Sequence, residues 1–251
     1  MAVETTLLHF AIVTFSVDPE RLRSHLHPRF EPDCIVDADG GSRALVSAVT
    51  FLDRDFRFVA VPWVRGHFGQ TNYRAYVRDR QTGEHVVWFF GTCLDSWSVM
   101  VPRHAWKLPW HRARMRFDCT HDIQSNTYSR FRVETASAWA PAQLELTDTG
   151  RAPTALDGFP SLEAGLVLLT HPLRGYFTRR DGRLGSYAIW HPRLEPSEGT
   201  VTVANYPLLG TLGLIGERST PRVHSALLQK RIDFTIYLPP ARVATSGDGH
   251  V

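Results

Sequence analysis

Apolar and polar residues alternate along most of this chain, which predicts a protein built mainly from β-strands. Period-two alternation rich in Val, Phe, Tyr, Trp and Thr covers segments 7–16, 43–52, 56–63, 70–78, 85–94, 111–119, 125–134 and 142–147. Turn residues at Arg80-Gln81-Thr82-Gly83 and at Asp181-Gly182 separate neighbouring strands. Hairpins at these turns predict antiparallel pairing.

Helices are predicted at only three places. Asp18-Pro19-Glu20 supplies an N-cap, a first-turn proline and an early acidic residue, and predicts a helix over 19–26. Segment 161–169 predicts a second short helix, and segment 98–106 a third, despite Pro102. Many strands with few helices are typical of a mainly β (α+β) fold, in which a curled antiparallel sheet or β-barrel encloses a cavity and carries helices at its periphery.

The length fits one domain. The chain has 251 residues, 43% of them apolar and 21% charged, without an internal repeat or an internal linker. We therefore expect a single β-rich barrel domain over 1–243 and a disordered polar tail over 244–251.

Composition and motifs exclude several classes of protein. Mean hydropathy is −0.19 without a membrane-length apolar run, and the amino terminus lacks a secretory pattern, so we expect a cytoplasmic protein. Three separated cysteines and twelve histidines without HExxH spacing argue against disulfides and metal ions. GxSxG, Walker and GxGxxG motifs are absent, so no cofactor is predicted, and a net charge of +3 argues against nucleic acid as a partner.

One predicted strand carries a markedly polar face. Alternation over 70–78 places Gln70, Asn72, Arg74 and Tyr76 on the same side. This side either faces solvent, which is the commoner arrangement, or lines a cavity. In a cavity, the planar guanidinium of Arg74 would donate two hydrogen bonds to a carboxylate or an enolate.

A second candidate region is the stretch 106–115, which combines two tryptophans, an imidazole and three cations. His111 in this stretch is a candidate general acid or base, because an unperturbed imidazole titrates near working pH. A structural histidine held between aromatic rings is the alternative. His191 follows a hairpin strand and either projects into the same space or lies at the surface.

The order of seven short motifs resembles the bacterial family called domain of unknown function 2071, over residues 7 to 240. The motifs are Asp18-Pro19-Glu20-Arg21-Leu22, Ala44-Leu45-Val46-Ser47-Ala48-Val49-Thr50-Phe51, Asn72-Tyr73-Arg74-Ala75-Tyr76-Val77, Val87-Trp88-Phe89-Phe90, Leu108-Pro109-Trp110-His111-Arg112-Ala113-Arg114-Met115, Ser161-Leu162-Glu163 and Ile189-Trp190-His191-Pro192. That family is similar to the acetoacetate decarboxylase superfamily. The resemblance implies a β-rich barrel around a partly apolar cavity, in a homo-oligomer.

The chain departs from the superfamily at the residues that matter most. Decarboxylases of the superfamily form an imine on a lysine whose pKa is lowered by an adjacent lysine. The stretch Leu108-Pro109-Trp110-His111 takes the place of that lysine pair, and Gln70 stands where relatives often carry glutamate. Lys107 precedes the expected nucleophile by three positions, so alternation points it the other way.

Three functional hypotheses follow. In the first, the protein is an enzyme acting on a carbonyl or carboxylate compound by non-covalent acid–base chemistry, with His111 and Arg74 as catalytic residues. Its substrate contacts would be Asn72, Gln70, Tyr76, Trp110, Arg114 and His191. In the second, the same fold is a non-catalytic carrier or sensor of a small ligand. In the third, Lys107 still forms an imine.

Overall fold

A computed structural model describes residues 2–215 and 222–243. The predicted disordered tail, 244–251, lies outside the described residues. Four short α-helices are α1 (Pro19–Arg23), α2 (Met100–Ala105), α3 (Leu162–Thr170) and α4 (Pro207–Thr211). The strands are β1 (Ala2–Val17), β2 (Phe30–Pro32), β3 (Cys34–Val36), β4 (Ser42–Phe58), β5 (Val61–Asp79), β6 (His85–Leu94), β7 (Trp110–Arg112), β8 (Arg114–Asp122), β9 (Thr127–Ala136), β10 (Ala142–Asp148), β11 (Arg174–Thr178), β12 (Leu184–Trp190), β13 (Ser197–Asn205) and β14 (Arg222–Arg242).

The main sheet closes on itself. Its strands pair in the order β1-β4-β5-β6-β11-β12-β14, and β14 pairs again with β1. The pairing of β1 with β14 runs from Ala2 opposite Tyr237 to Ser16 opposite Arg222. This pairing joins the two ends of the described chain, so the interior of the sheet is bounded by strands on all sides. The mainly β fold with a curled sheet and few helices is confirmed.

Strands β13, β10, β9 and β8 continue from β14 as a second antiparallel sheet. One hydrophobic core lies between this sheet and the outer face of the closed sheet, and it includes Tyr73, Trp88, Phe131 and Leu144. A separate core lies inside the closed sheet. Because side chains alternate along each strand, β5 and β6 contribute to both cores.

Both turn predictions are confirmed. Segment 80–84 joins β5 to β6 with Gly83 at φ +75°, and segment 179–183 joins β11 to β12 with Gly182 at φ +81°. Capping also agrees with the sequence, since Asp18 accepts a hydrogen bond from the Glu20 amide (2.8 Å) and Ser161 caps α3 through Ala164 (3.1 Å). Helix α1 is three residues shorter than expected, ending at Arg23.

The strand predictions differ from the structure in several details. The expected strands 43–52 and 56–63 are not separate. Strand β4 runs unbroken to Phe58, and the chain then turns and begins β5 at Val61. Strand β11 pairs parallel with β6, as does β7, so the main sheet is not purely antiparallel. Strands β2, β3, β13 and β14 are not among the predicted segments, and the predicted strand 111–119 is divided at Ala113 between β7 in the main sheet and β8 in the second sheet.

Candidate functional site

The interior of the closed sheet contains a cavity of about 520 Å³. Its walls are largely aromatic and aliphatic and include Phe10, Phe51, Phe89, Ile189 and Phe234. Val64, Trp97 and Val101 also line it and are mostly exposed, so they mark its mouth. A pocket of this size with a few polar groups in apolar walls is typical of small-molecule sites.

The polar face predicted on β5 points into this cavity. Gln70, Asn72 and Arg74 all line it, and Thr92 of β6 lies beside them. Gln70 Nε2 and Thr92 Oγ1 each donate a 2.8 Å hydrogen bond to Asn72 Oδ1. Because its oxygen accepts both bonds, Asn72 presents its amide NH₂ group as a donor to the cavity.

Arg74 is the buried cation of the site. It is 7% exposed, and its Nη2 donates to the carbonyl oxygen of Leu169 in α3 at 2.8 Å. Its Nε has no hydrogen-bond partner among the described residues, and no carboxylate there forms an ion pair with it. A buried guanidinium with free donors and no counterion is suited to an anionic ligand.

His191 and Tyr187 stand close enough to Arg74 for its charge to act on both. His191 is 2% exposed, and its ring stacks on Phe234 at 4.3 Å. Its Nδ1 lies 2.7 Å from the carbonyl oxygen of Pro192, which only accepts, so Nδ1 carries the hydrogen and Nε2 is the basic nitrogen. Burial lowers the pKa of His191 to about 4, with smaller contributions from His171 and Arg74. Burial also raises the pKa of Tyr187.

Asp53 lines the cavity from β4, toward the β4–β5 hairpin. It is 2% exposed, and Thr5 Oγ1 donates to its Oδ1 at 3.0 Å, while Oδ2 has no partner among the described residues. Burial raises the pKa of this carboxyl to about 7. A carboxyl group that lies in a cavity and has a pKa near 7 is typical of functional sites.

The structure brings five of the eight predicted site residues to the cavity wall: Gln70, Asn72, Arg74, Trp110 and His191. Tyr76 lies directly behind Arg74 as a fully buried support. Its hydroxyl donates to the Leu169 carbonyl at 3.1 Å, is 3.4 Å from Arg74 Nη2, and is bonded to Ser47 Oγ at 2.9 Å. Tyr76 therefore positions Arg74 and does not line the cavity.

The expectation that His111 shares the cavity is wrong. Trp110 and His111 are neighbours on β7, so their side chains point to opposite faces, and Trp110 takes the inner one. The His111 ring stacks on Trp139 at 4.0 Å, on the side of the second sheet. Arg114 is likewise absent from the cavity wall, because it begins β8 in the second sheet with an exposed side chain.

Neither lysine of the chain lines the cavity. Lys107 is exposed, at a backbone φ of +57°, in the loop before β7. Lys230 Nζ is paired with Asp148 Oδ2 at 2.7 Å and Ser197 Oγ at 2.5 Å, between the two sheets. Both amines are thus held away from Arg74 and His191.

Sequence reasoning missed Asp53 and Tyr187. A signal for Asp53 was present, since Val49, Phe51 and Asp53 share one face of β4 and the carboxyl interrupts an otherwise apolar series. Tyr187 gave no such signal, because an aromatic residue in a strand is ordinary core material.

No helix within 2–215 or 222–243 is long and apolar enough to cross a membrane. The same residues contain no cluster of His, Cys, Asp and Glu with the geometry of a metal site.

The fold matches solved structures over nearly its whole length. An acetoacetate decarboxylase from Legionella pneumophila matches with a TM-score of 0.61 and 15% identity, over 97% of this chain and 88% of that chain. An acetoacetate decarboxylase-like enzyme from Sphingomonas wittichii RW1 gives 0.61 and 12%, over 97% and 92%. The enduracididine biosynthesis enzyme MppR complexed with pyruvate gives 0.58 and 13%, over 96% and 90%. At these identities the likeness establishes the fold.

Sequence comparison identifies a family as well. A family model, DUF2071, described as an uncharacterized conserved protein, matches residues 4–228. No curated protein matches the chain by sequence.

Proposed function

The chain belongs to the DUF2071 family, and on that premise we propose that it is a small-molecule enzyme with the acetoacetate decarboxylase-like fold. Its substrate would be a carbonyl or carboxylate compound, transformed by acid–base chemistry without a covalent intermediate. The observation that carries this proposal is Arg74, a cation buried in the cavity wall without a carboxylate partner among the described residues. An anionic ligand would supply the missing counterion.

The donors of the site suit an enolate. Arg74 and Asn72 both present N–H groups to the cavity from the same face of β5, and their positions are fixed by bonds to Leu169 and Thr92. Preorganised donors aimed at a developing negative charge stabilise it strongly, because they need not reorient during the reaction. An enolate or a carboxylate oxygen would therefore lie against this face.

His191 replaces His111 as the proton-transfer residue of the proposal. A pKa of about 4 keeps its ring neutral at pH 7, with Nε2 free to accept a proton. In the proposed step the C–H bond next to a carbonyl breaks, the proton passes to Nε2, and the electron pair moves onto the carbonyl oxygen as an enolate. Return of a solvent-derived proton to the carbon completes the exchange.

An imine mechanism receives no support from the geometry. The amine of a catalytic lysine must be desolvated or lie beside another cation to be neutral near pH 7. Lys107 is exposed and Lys230 is paired with a carboxylate, and neither lines the cavity.

Solvent exchange tests the proposal directly. Pyruvate, phenylpyruvate and acetoacetate would each be incubated with the protein in D₂O, and loss of the proton signals next to the carbonyl followed by NMR. We expect exchange with at least one of them, reduced at least about 100-fold in Arg74→Met and in His191→Asn. Lys107→Ala is the control and should exchange at the wild-type rate.

Two results would contradict the proposal. One is the absence of enzyme-dependent exchange with all three acids. The other is a mass adduct on Lys107 after borohydride reduction in the presence of pyruvate, which would show that an imine forms.

A non-catalytic ligand carrier is the second candidate. The observation in its favour is the wall of the cavity, in which aromatic and aliphatic residues predominate and polar groups are few. Binding of these acids that depends on Arg74, without any exchange, would identify the protein as a carrier.

A further inference from the structure

We propose that the cavity is shaped for an elongated monocarboxylate, with an apolar or aromatic body and a hydroxyl or amino group at its far end. This inference rests on the proposed function, since Arg74 is again the anchor of the carboxylate. It goes further in two respects. Asp53 is a second polar contact for the ligand, so that Arg74 and Asp53 are the two poles of the cavity, and acids of three or four carbons are excluded as the best ligands.

The two poles lie at opposite ends of the cavity. Arg74 is opposite Ser47 in the pairing of β4 with β5, and Asp53 lies six residues further along β4. At about 3.3 Å per residue, the two backbone positions are about 20 Å apart. The Arg74 side chain shortens that span from one end, so a ligand touching both poles must be extended.

The volume of the cavity leads to the same conclusion. At roughly 30 Å³ per heavy atom, the value for liquid water, pyruvate would occupy only about 180 Å³. The cavity measures about 520 Å³, which is within the range of pockets that hold drug-sized ligands. A three-carbon acid would leave most of the apolar wall without contacts.

The wall between the poles is apolar and well packed. Phe10 stacks on Phe51 with ring centroids 5.6 Å apart and meets Phe234 at 6.3 Å. All three rings line the cavity. Burying an alkyl or aryl body against them stabilises the complex, and each further methylene group removed from water adds to that stabilisation.

Asp53 selects what stands at the far end. Its Oδ2 is buried and unpartnered among the described residues, so a hydroxyl or amino group can donate to it. A second carboxylate would be repelled by it whenever Asp53 is ionised. Arg65, the cation on this part of the wall, is exposed and already paired with Asp55 at 3.4 Å.

Four acids separate the elements of this proposal: butanoate, octanoate, 8-hydroxyoctanoate and octanedioate. Their dissociation constants would be measured by calorimetry at pH 8, where Asp53 is mostly ionised. We expect octanoate to bind at least tenfold more tightly than butanoate, and 8-hydroxyoctanoate at least as tightly as octanoate. Octanedioate should bind at least tenfold more weakly than 8-hydroxyoctanoate.

Variants assign each preference to a pole. Asp53→Asn keeps the shape of the side chain and should bring octanedioate to within threefold of 8-hydroxyoctanoate. Asp118→Asn, on the second sheet and away from the cavity, is the matched control and should leave all four constants unchanged. Arg74→Met should weaken the binding of every acid.

The outcomes distinguish a failure of this proposal from a failure of the proposed function on which it rests. If butanoate binds as tightly as octanoate, or if octanedioate matches 8-hydroxyoctanoate in the wild type, the inference about shape is overturned while Arg74-dependent exchange can still stand. If Arg74→Met binds every acid normally, the anchor is wrong and both proposals fail.

Discussion

A carboxyl group buried without a cation costs free energy when it ionises, and Asp53 is such a group. Among the described residues, Thr5 is the only side-chain donor to it, and its second oxygen has no partner there. Its pKa of about 7 means that the folded protein holds the proton more tightly than the unfolded chain, in which the value is 3.8. Residues that weaken a fold in this way are most readily explained by a role in ligand binding.

Replacing Asp53 with Asn should change how stability depends on pH. Since the folded-state pKa is raised, the contribution of Asp53 to the stability of the wild type should fall as the pH rises from 3.8 to about 7 and then level off. At 1.36 kcal/mol per pKa unit, this amounts to roughly 4 kcal/mol at most. Asp53→Asn should remove that decline, so the variant gains stability relative to the wild type as the pH rises from 3.8 to about 7 and keeps this gain at higher pH.

Urea unfolding of the two proteins at pH 5 and at pH 8 measures this difference. Thr5→Val, which removes the one donor, should raise the pKa of Asp53 further and so extend the decline to higher pH. If the difference in unfolding free energy between Asp53→Asn and the wild type is the same at both pH values, the raised pKa of Asp53 is contradicted.

At the scale of elements, alternation in the sequence predicted which side chains share one face of a strand, but not whether that face points into the cavity. Strict alternation placed Gln70, Asn72 and Arg74 on one side of β5, and the structure confirms that arrangement. Whether that side faced inward could not be predicted, because the answer depends on which strands pair with β5. The same alternation separates Trp110 from His111, so proximity along the chain was a poor guide to the site.

Strand β11 illustrates how closely the walls of the cavity are packed. A Cβ atom on Gly175 would lie 2.3 Å from Phe89 Cε2 and 3.3 Å from Val87 Cγ2, both on β6. Gly175→Ala should therefore push the Phe89 ring into the cavity and destabilise the protein by about 1–3 kcal/mol. Gly210→Ala, at an exposed position of α4 without neighbours within 4 Å, is the control and should be neutral or stabilising.

Thermal unfolding of both glycine variants checks this prediction, and titration of octanoate adds a second readout. A displaced Phe89 ring occupies ligand space, so Gly175→Ala should also weaken octanoate binding. Equal melting temperatures for the two variants would show that β6 and β11 tolerate the extra atom.

At the scale of the whole molecule, local sequence patterns do not predict that the main sheet closes on itself. The pairing of β1 with β14 joins Leu7 to Ile232, across more than two hundred residues of chain. Period-two patterns identify strands but not partners at such distances. The strand pattern and the family resemblance both predicted a curled sheet, but neither predicted the division into an inner core with the cavity and an outer core under the second sheet.

Because the inner core lines the cavity and the outer core does not, stability and ligand binding should be separable by mutation. His111 stacks on Trp139 in the outer layer, so His111→Ala should lower stability at neutral pH by roughly 1 kcal/mol and leave octanoate binding, and proton exchange of any acid on which the wild type acts, unchanged. Burial lowers the pKa of His111 from 6.5 to about 4, with help from Arg103 and Arg180, so the folded protein resists its protonation. The wild type should therefore be the more stable of the two above pH 6.5, and its advantage should shrink and then reverse as the pH falls toward 4, because at 1.36 kcal/mol per pKa unit the cost of keeping His111 unprotonated exceeds the roughly 1 kcal/mol lost with the ring.

Phe89→Leu in the inner layer is the companion variant, since it loses contacts with the ligand as well as with Tyr187. It should weaken octanoate binding and also destabilise the protein. Urea unfolding at pH 7.5 and pH 5, together with calorimetry on both variants, measures all of these effects. Loss of ligand binding in His111→Ala, at a stability equal to that of the wild type, would show that the outer layer takes part in the site and that the two cores do not act independently.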